Sequence, residues 1–329
     1  MQANPNTQFE IDLSKYQIIG NIGSGSFGNV YKIQEKETKK YYAAKVLLGS
    51  NEQFVDREIR ILMCSNHPTI VKFIGYSLKD FENNRNVTLI LELAQNGSLT
   101  NLIEKIQKDE TPTNFTNTSR QIILIGIARG MKYLHDRNII HRDLKTANIL
   151  LDENFFPLIT DFGVSKYFDV GKTLEQTYHG GTLAYAAPEA LGGEDYNQSV
   201  DVYSFAVVMF EVLTNSFAYP ENRNQKVNFF RFTKKVIDEN YRPQFTVDVK
   251  EPLKKLIEKC WSKNPEERPT FKDIFEKVTN PYYFLDDVDY EKCNEYIKLV
   301  TAVKDPLEKL LLRVEPAEDM NSQLTIDNK

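Results

Sequence analysis

Ile139-Ile140-His141-Arg142-Asp143-Leu144-Lys145-Thr146-Ala147-Asn148-Ile149-Leu150-Leu151 places two apolar runs around a short polar loop. Runs as short and branched as Ile139-Ile140 and Ile149-Leu150-Leu151 suit buried strands, although periodicity alone leaves helix open. Strands at both ends of a loop hold its side chains still, as reactive groups require. The loop carries a carboxylate at Asp143, an ammonium at Lys145 and an amide at Asn148. The carboxylate can accept a proton from a hydroxyl. The ammonium can neutralise a phosphoryl oxygen, and the amide oxygen can hold a magnesium ion. These are parts that phosphoryl transfer uses.

The rest of the chain sets limits on that reading. Its 329 residues suggest two packed units, and 41% hydrophobic residues suffice for a core. A formal net charge of −5 gives no reason to expect non-specific nucleic-acid binding. No apolar run approaches the ~20 residues that cross a bilayer. Met1-Gln2-Ala3-Asn4-Pro5-Asn6 lacks the basic start and apolar core of a signal peptide. Gln2 stands where myristoylation requires glycine. Cys64, Cys260 and Cys293 are scattered and form no C-x-x-C pair, so neither a zinc site nor a disulfide framework is expected. A reduced, cytoplasmic protein is the expectation.

Residues 1–14 are largely polar and read as a loose lead-in. Strand-like alternation begins at Tyr16 and takes in Ile18 and Ile22. Gly23-Ser24-Gly25-Ser26-Phe27-Gly28 follows, a pattern shared with dinucleotide-binding turns. Such a turn opens a helix. Here Val30-Tyr31-Lys32-Ile33 and Tyr41–Leu47 read as two further strands, so the glycines sit in a hairpin. Their backbone N–H groups can there approach oxygens; an ordinary glycine hairpin is the plain alternative. Lys45 ends a strand and could be a mere surface cation. Glu52–Ser65 reads as a helix with Phe54, Ile61 and Leu62 near helical spacing, Glu58 between them, and His67-Pro68 after it. Strands follow near Ile70–Tyr76 and Val87–Leu93. Ser98 is the N-cap expected for a helix at Leu99. Lys108–Thr118 reads as a surface loop, and Arg120–His135 as a long buried helix carrying Ile123, Ile127, Met131 and Leu134. Ile159-Thr160-Asp161-Phe162-Gly163 lies at a strand end, where an aspartate and a glycine often mark only a turn. Asp201–Phe210 is nearly all apolar after its acid and reads as a core helix, with Asp201 capping it and tying back to the loop around Asp143. His135 and His141 lack cysteine support and do not read as metal ligands; His141 reads as a packed imidazole.

Taken in order, these stretches resemble the motifs of protein kinases. His141–Asn148 matches H-R-D-L-x-x-x-N, Asp161-Phe162-Gly163 matches D-F-G, and Ala187-Pro188-Glu189 matches A-P-E. The resemblance covers about Tyr16 to Asn280. It implies an α+β, bilobal protein kinase fold with a small β-rich N-lobe (16–91), a hinge (92–96) and a larger, mainly helical C-lobe (97–280). Residues 1–15 form the lead-in, and 281–329 a C-terminal helical extension and tail.

The resemblance also implies ATP and Mg2+ as cofactors and protein hydroxyls as substrates. Asp143, Lys145, Lys45 and Glu58 become the catalytic residues, with Lys45 on the phosphates and paired with Glu58. An aspartate is a weak base for an alcohol, so orientation is the larger role for Asp143. Ile22, Gly23, Ser24, Gly25, Ser26, Phe27, Gly28, Asn29, Val30, Ala43, Lys45 and Leu150 become nucleotide-binding residues. Backbone groups of Glu92 and Ala94 meet the adenine edge, and Leu91 guards the pocket behind it. Asn148 and Asp161 hold the metal. Arg268 forms a buried ion pair with Glu189. Arg142 can receive a phosphate on the segment Val164–Ala187, placed by an upstream kinase at Thr177 first, then Thr173 or Tyr178.

Lys145 within His-Arg-Asp-Leu-Lys-Thr-Ala-Asn and Gly181-Thr182-Leu183-Ala184-Tyr185 look like a serine/threonine enzyme. Asp201–Phe205 and Cys260–Phe271 resemble the tyrosine-kinase-like group. A tyrosine-kinase-like serine/threonine kinase of intracellular signalling fits both. A tyrosine or dual-specificity enzyme stays open. A pseudokinase normally lacks one of Lys45, Asp143, Asn148, Asp161 or the glycine loop, and all are present. From about 281 onward the chain leaves the family. Cys293, Tyr296, Ile297, Val300 and Val303 keep helical spacing until Pro306, and Leu307, Leu310, Leu311 and Val314 continue it. One or two helices packed on the C-lobe is the expectation; a partner-binding helix is the alternative. Residues 315–329 read as a solvated tail.

Overall fold

Five antiparallel strands build the smaller lobe: β1 (Tyr16–Gly25), β2 (Gly28–Glu35), β3 (Tyr41–Leu47), β4 (Phe73–Ser77) and β5 (Thr88–Glu92), in spatial order β1-β2-β3-β5-β4. The computed structural model describes residues 9–25, 28–48, 52–163, 166–167, 180–220 and 228–302. Helix α1 (Glu52–Cys64) connects β3 to β4. The β1–β2 hairpin closes where Gly28 takes φ +137°, and a Cβ there would lie 1.8 Å from the Val46 carbonyl oxygen. Only glycine fits that approach.

Part of the expected loose lead-in is ordered. Glu10 bridges in parallel to Tyr76, and Ile11 N donates to Tyr76 O at 2.7 Å. Residues 9–15 thus run from the β4 edge to the β1 edge, and Ile11 and Leu13 pack with Tyr16, Ile33, Ala44 and Ile90. Alternate apolar residues in this short polar stretch cover one face and block one edge of the sheet.

The larger lobe is mainly helical: α2 (Leu99–Gln107), α3 (Asn117–His135), α4 (Pro188–Gly192), α5 (Ser199–Thr214), α6 (Phe229–Ile237), α7 (Glu251–Cys260), α8 (Phe271–Val278) and α9 (Tyr290–Thr301). Ser98 caps α2 through a capping box with Asn101, as expected. Helix α3 starts earlier than expected because Thr116 and Ser119 cap each other's backbone. Helix α5 is buried along nearly its whole length and forms the lobe's axis. The expected capping role of Asp201 is not seen. The residue before α5 is Gln198, with no side-chain cap, and Asp201 lies within the first turn. Its carboxylate serves donors from another element, described below.

Two short ladders carry the loop between the lobes. β6 (Ile139–Ile140) pairs with β9 (Lys166–Tyr167), and β7 (Ile149–Leu151) with β8 (Pro157–Ile159). Both apolar runs around Asp143 are therefore buried strands. Among the described residues, no helix is long and apolar enough to cross a membrane.

Candidate active site

The loop between β6 and β7 is held from below by Asp201. Its two carboxylate oxygens accept from His141 N and Arg142 N, each at 2.8 Å, and His135 Nε2 lies 2.8 Å from Oδ2. Burial pushes the Asp201 carboxyl upward, but the His135 contact and these further donors outweigh it and leave the pKa below the ordinary value. Arg142 sits at φ 68°, a left-handed conformation that costs a non-glycine residue about 1–3 kcal/mol. The Asp201 bonds hold it there.

Asp143 is fixed from both sides. Lys145 Nζ donates to Asp143 Oδ2 at 2.7 Å, and Asn148 Nδ2 donates to Asp143 O at 2.8 Å and to Oδ2 at 2.9 Å. His141 is the packed imidazole expected. Its Nδ1 accepts from Asp143 N at 3.3 Å, so its Nε2–H is assigned to the Thr160 carbonyl at 3.1 Å. Its ring centroid lies 5.2 Å from that of Phe162.

Across the cleft, Lys45 Nζ lies 2.7 Å from Glu58 Oε1 and 3.1 Å from Asp161 Oδ1. Residues from β3, α1 and the turn after β8 thus meet at one ammonium. Burial disfavours that charge, but Asp161 and then Glu58 outweigh it, and the Lys45 pKa rises above the ordinary lysine value. Burial raises Glu58, while Lys45 holds Asp161 below the ordinary carboxylate range against its own burial. Asp161 also takes a left-handed φ of 71°.

The donor set fits a magnesium ion. The Asn148 amide nitrogen is turned toward Asp143, which directs its oxygen elsewhere, and the Asp161 side chain keeps 25% of its surface exposed. A carboxylate and an amide oxygen are the hard ligands magnesium takes alongside phosphate oxygens.

The nucleotide-binding candidates line up on the sheet. Val30 pairs with Lys45 across β2–β3, and Ala43 with Leu91 across β3–β5. The Glu92 side chain accepts from Lys72 N at 2.6 Å and its own N–H donates to Lys72 O at 3.0 Å, which leaves its carbonyl as the group for an adenine edge. Leu150 reaches the far end of the hinge through a bridge to Ser98. Gly23 N donates to Asn21 Oδ1 at 2.9 Å. Ile22, Ser24, Gly25, Gly28 and Asn29 lie on the same hairpin, and Ala94 follows β5. Ser26 and Phe27 lie outside the described residues, as do Thr173, Thr177 and Tyr178. Arg268 makes the expected ion pair with Glu189 through two hydrogen bonds, at 2.5 and 2.9 Å.

Sequence reading missed a second buried cluster beneath the loop. Glu211 Oε2 accepts from Tyr185 Oη at 2.7 Å and from Thr146 Oγ1 at 3.0 Å, while Oε1 accepts from Ala218 N at 3.1 Å. Thr100 Oγ1 lies 2.9 Å from Thr146 Oγ1. The signal was present: Glu211 is the carboxylate inside an otherwise apolar stretch of α5, and a buried charge needs donors. Arg57, next to Glu58, also stands near enough to Arg142 for the like charge to lower its pKa after burial has done so.

The protein kinase domain family matches residues 16–280. A probable serine/threonine-protein kinase of Dictyostelium discoideum is 33% identical over 280 residues, which cover 83% of this chain and 20% of that protein. The RGS domain-containing serine/threonine-protein kinase A of the same organism is 31% identical over 308 residues, 92% of this chain and 25% of that protein. Its dual specificity protein kinase shkA is 34% identical over 265 residues, 78% of this chain and 47% of that protein. The chain therefore spans less than half the length of each of these relatives. With the family matched from the first strand of the sheet to the end of α8, the chain belongs to the protein kinase family.

Proposed function

We propose that this chain is an ATP-dependent protein serine/threonine kinase of the tyrosine-kinase-like group, acting on protein hydroxyls in intracellular signalling. The observation that carries this reading is the joint geometry of Lys45, Glu58 and Asp161 on one side of the cleft and Asp143, Lys145 and Asn148 on the other. Lys45, held by Glu58, orients the nucleotide phosphates. Asp143 orients the substrate hydroxyl and takes its proton, and Lys145 offsets charge on the moving phosphoryl group. Asp161 and Asn148 are the residues to hold magnesium, which when bound supplies positive charge to the phosphate oxygens. Phosphorylation of the chain's own segment 164–187 by an upstream kinase belongs to the same reading. Two guanidinium groups close enough to repel, Arg57 and Arg142, favour an anion near them.

Dual specificity is the second reading, favoured by the names of relatives such as the dual specificity protein kinases shkA and shkD. Phosphoamino-acid analysis after ATP labelling separates the two. Phosphoserine and phosphothreonine alone support the first reading. Phosphotyrosine beside them supports the second, and phosphotyrosine alone contradicts both.

A further inference from the structure

Helix α9 lies beyond the residues the kinase family matches, yet it is built into the large lobe. Asp289 caps it and donates its own N–H to Thr118 Oγ1 at 2.8 Å. Leu285 N donates to Gln121 Oε1 at 3.1 Å, and Asn117 Nδ2 to Asp286 O at 3.0 Å. Cys293, Tyr296 and Val300, at i, i+3 and i+7, form one buried stripe. Helix α3 is notched to receive it: a Cβ on Gly126 would lie 2.3 Å from Tyr296 Oη. The Tyr296 ring packs 4.6 Å from Phe156, beside the start of β8.

The far end of α9 reaches the turn between α1 and β4. The Val300 carbonyl accepts from Arg129 Nε at 3.2 Å and faces His67, whose Nε2 has no well-formed hydrogen bond among the described residues. His67 is buried, with Thr69 Oγ1 2.7 Å from its Nδ1 and the Tyr133 ring at 4.7 Å. The Tyr133 hydroxyl accepts from Asn66 N at 3.2 Å and donates to Cys64 O, the last residue of α1, at 3.5 Å. Thr69 O accepts from Ile159 N at 2.8 Å, two residues before Asp161. One turn therefore joins the helix that carries Glu58 to the strand that leads into Asp161, and α9 closes on that turn from outside.

We propose that residues 281–302 act as a positioning strut, in which Tyr296 seats α9 in the notch of α3 and Val300 braces the turn 65–69, so that Glu58 and Asp161 stay in register on Lys45. The role given to that lysine rests on the proposed kinase activity; the bracing does not. Loosening the strut lets the turn shift, and α1 carries Glu58 with it. The effect falls on turnover more than on binding of the protein substrate, which would meet the segment before Ala187-Pro188-Glu189 rather than α1.

The test uses the full chain and two readouts. Hydrogen exchange of residues 61–70 reads the bracing without any need for activity, and steady-state kinetics reads its consequence. Tyr296→Ala should speed exchange across 61–70 and lower kcat about threefold to thirtyfold, with the KM for a protein substrate unchanged. Tyr296→Phe, which keeps the ring, should do neither. Arg129→Met, which removes the bond to Val300 and leaves the notch filled, should reproduce the exchange change on a smaller scale and serves if Tyr296→Ala does not fold. Faster exchange confined to 281–302 and the facing surface of α3, with 61–70 and kcat as in the wild type, would overturn the proposal. An inactive wild type that still shows the change at 61–70 would uphold the strut and count against the kinase reading alone.

Discussion

Tyr185 donates its hydroxyl to Glu211 at 2.7 Å, inside a buried cluster. The hydroxyls of Tyr185 and Thr146 and the backbone N–H of Ala218 together hold the Glu211 carboxylate. Thr146 sits three residues after Asp143, and Tyr185 sits two residues before Ala187 of the A-P-E motif. Glu211 thus ties the catalytic loop to the end of the segment a protein substrate would meet. Glu211→Gln turns one acceptor oxygen into an amide nitrogen facing hydroxyl donors. It should lower stability by about 1–3 kcal/mol and reduce kcat, as read by urea denaturation and steady-state kinetics. Unchanged values for both would show that the cluster is idle packing.

Arg268 and Glu189 form a two-bond ion pair that is almost wholly buried, and Arg268 also donates to the Ser199 and Ser262 carbonyls. Removing one partner strands the other charge. Arg268→Ala should lose roughly 3–5 kcal/mol of stability, and adding Glu189→Ala should recover part of that loss. A double-mutant cycle that gives strictly additive losses would contradict a direct pairing.

His67 makes stability depend on pH. Burial, with Arg129 and Arg137 adding to it, lowers its pKa to about 3. In the unfolded chain the ring takes up a proton below pH ~6.5. Between those values the unfolded state binds more protons than the folded one, so this contribution is complete above about pH 6.5 and shrinks as pH falls through the window. At pH 5 the loss from this group is about 2 kcal/mol. Denaturation at pH 7.5 and pH 5 should show a larger drop for the wild type than for His67→Gln. Equal drops would mean that His67 is not buried neutral.

Much of the fold and the site is legible in the order of the amino acids. The hairpin around the glycines follows from strand signals on both sides of Gly23–Gly28. The strand that carries Lys45 and the helix that carries Glu58 are legible from local pattern; their contact is legible only through the resemblance to protein kinases. What escapes has a physical pattern. Residues 9–15 look loose because polar composition hides three alternate apolar residues that act only once a sheet edge is present. Asp201 reads both as a cap and as a tie to the loop around Asp143; the tie holds and the cap does not, because His141 N and Arg142 N, about 60 residues away in sequence, take up its two carboxylate oxygens. The Thr146–Tyr185–Glu211 cluster likewise needs three distant elements brought together, which no local spacing encodes. The stripe Cys293, Tyr296 and Val300 is visible as helical, but its seat is not, since a missing Cβ at Gly126 gives no periodic signal.

Asp143 is proposed to orient a hydroxyl for transfer of phosphate from a nucleotide held by Lys45. The most direct test measures transfer of labelled γ-phosphate from MgATP to a peptide library, alongside nucleotide binding, for the full chain and for Asp143→Asn. Transfer by the wild type, a loss of about 10²–10⁴-fold in turnover for the variant, and unchanged nucleotide affinity are expected. Turnover by Asp143→Asn at the wild-type rate would contradict that role for Asp143.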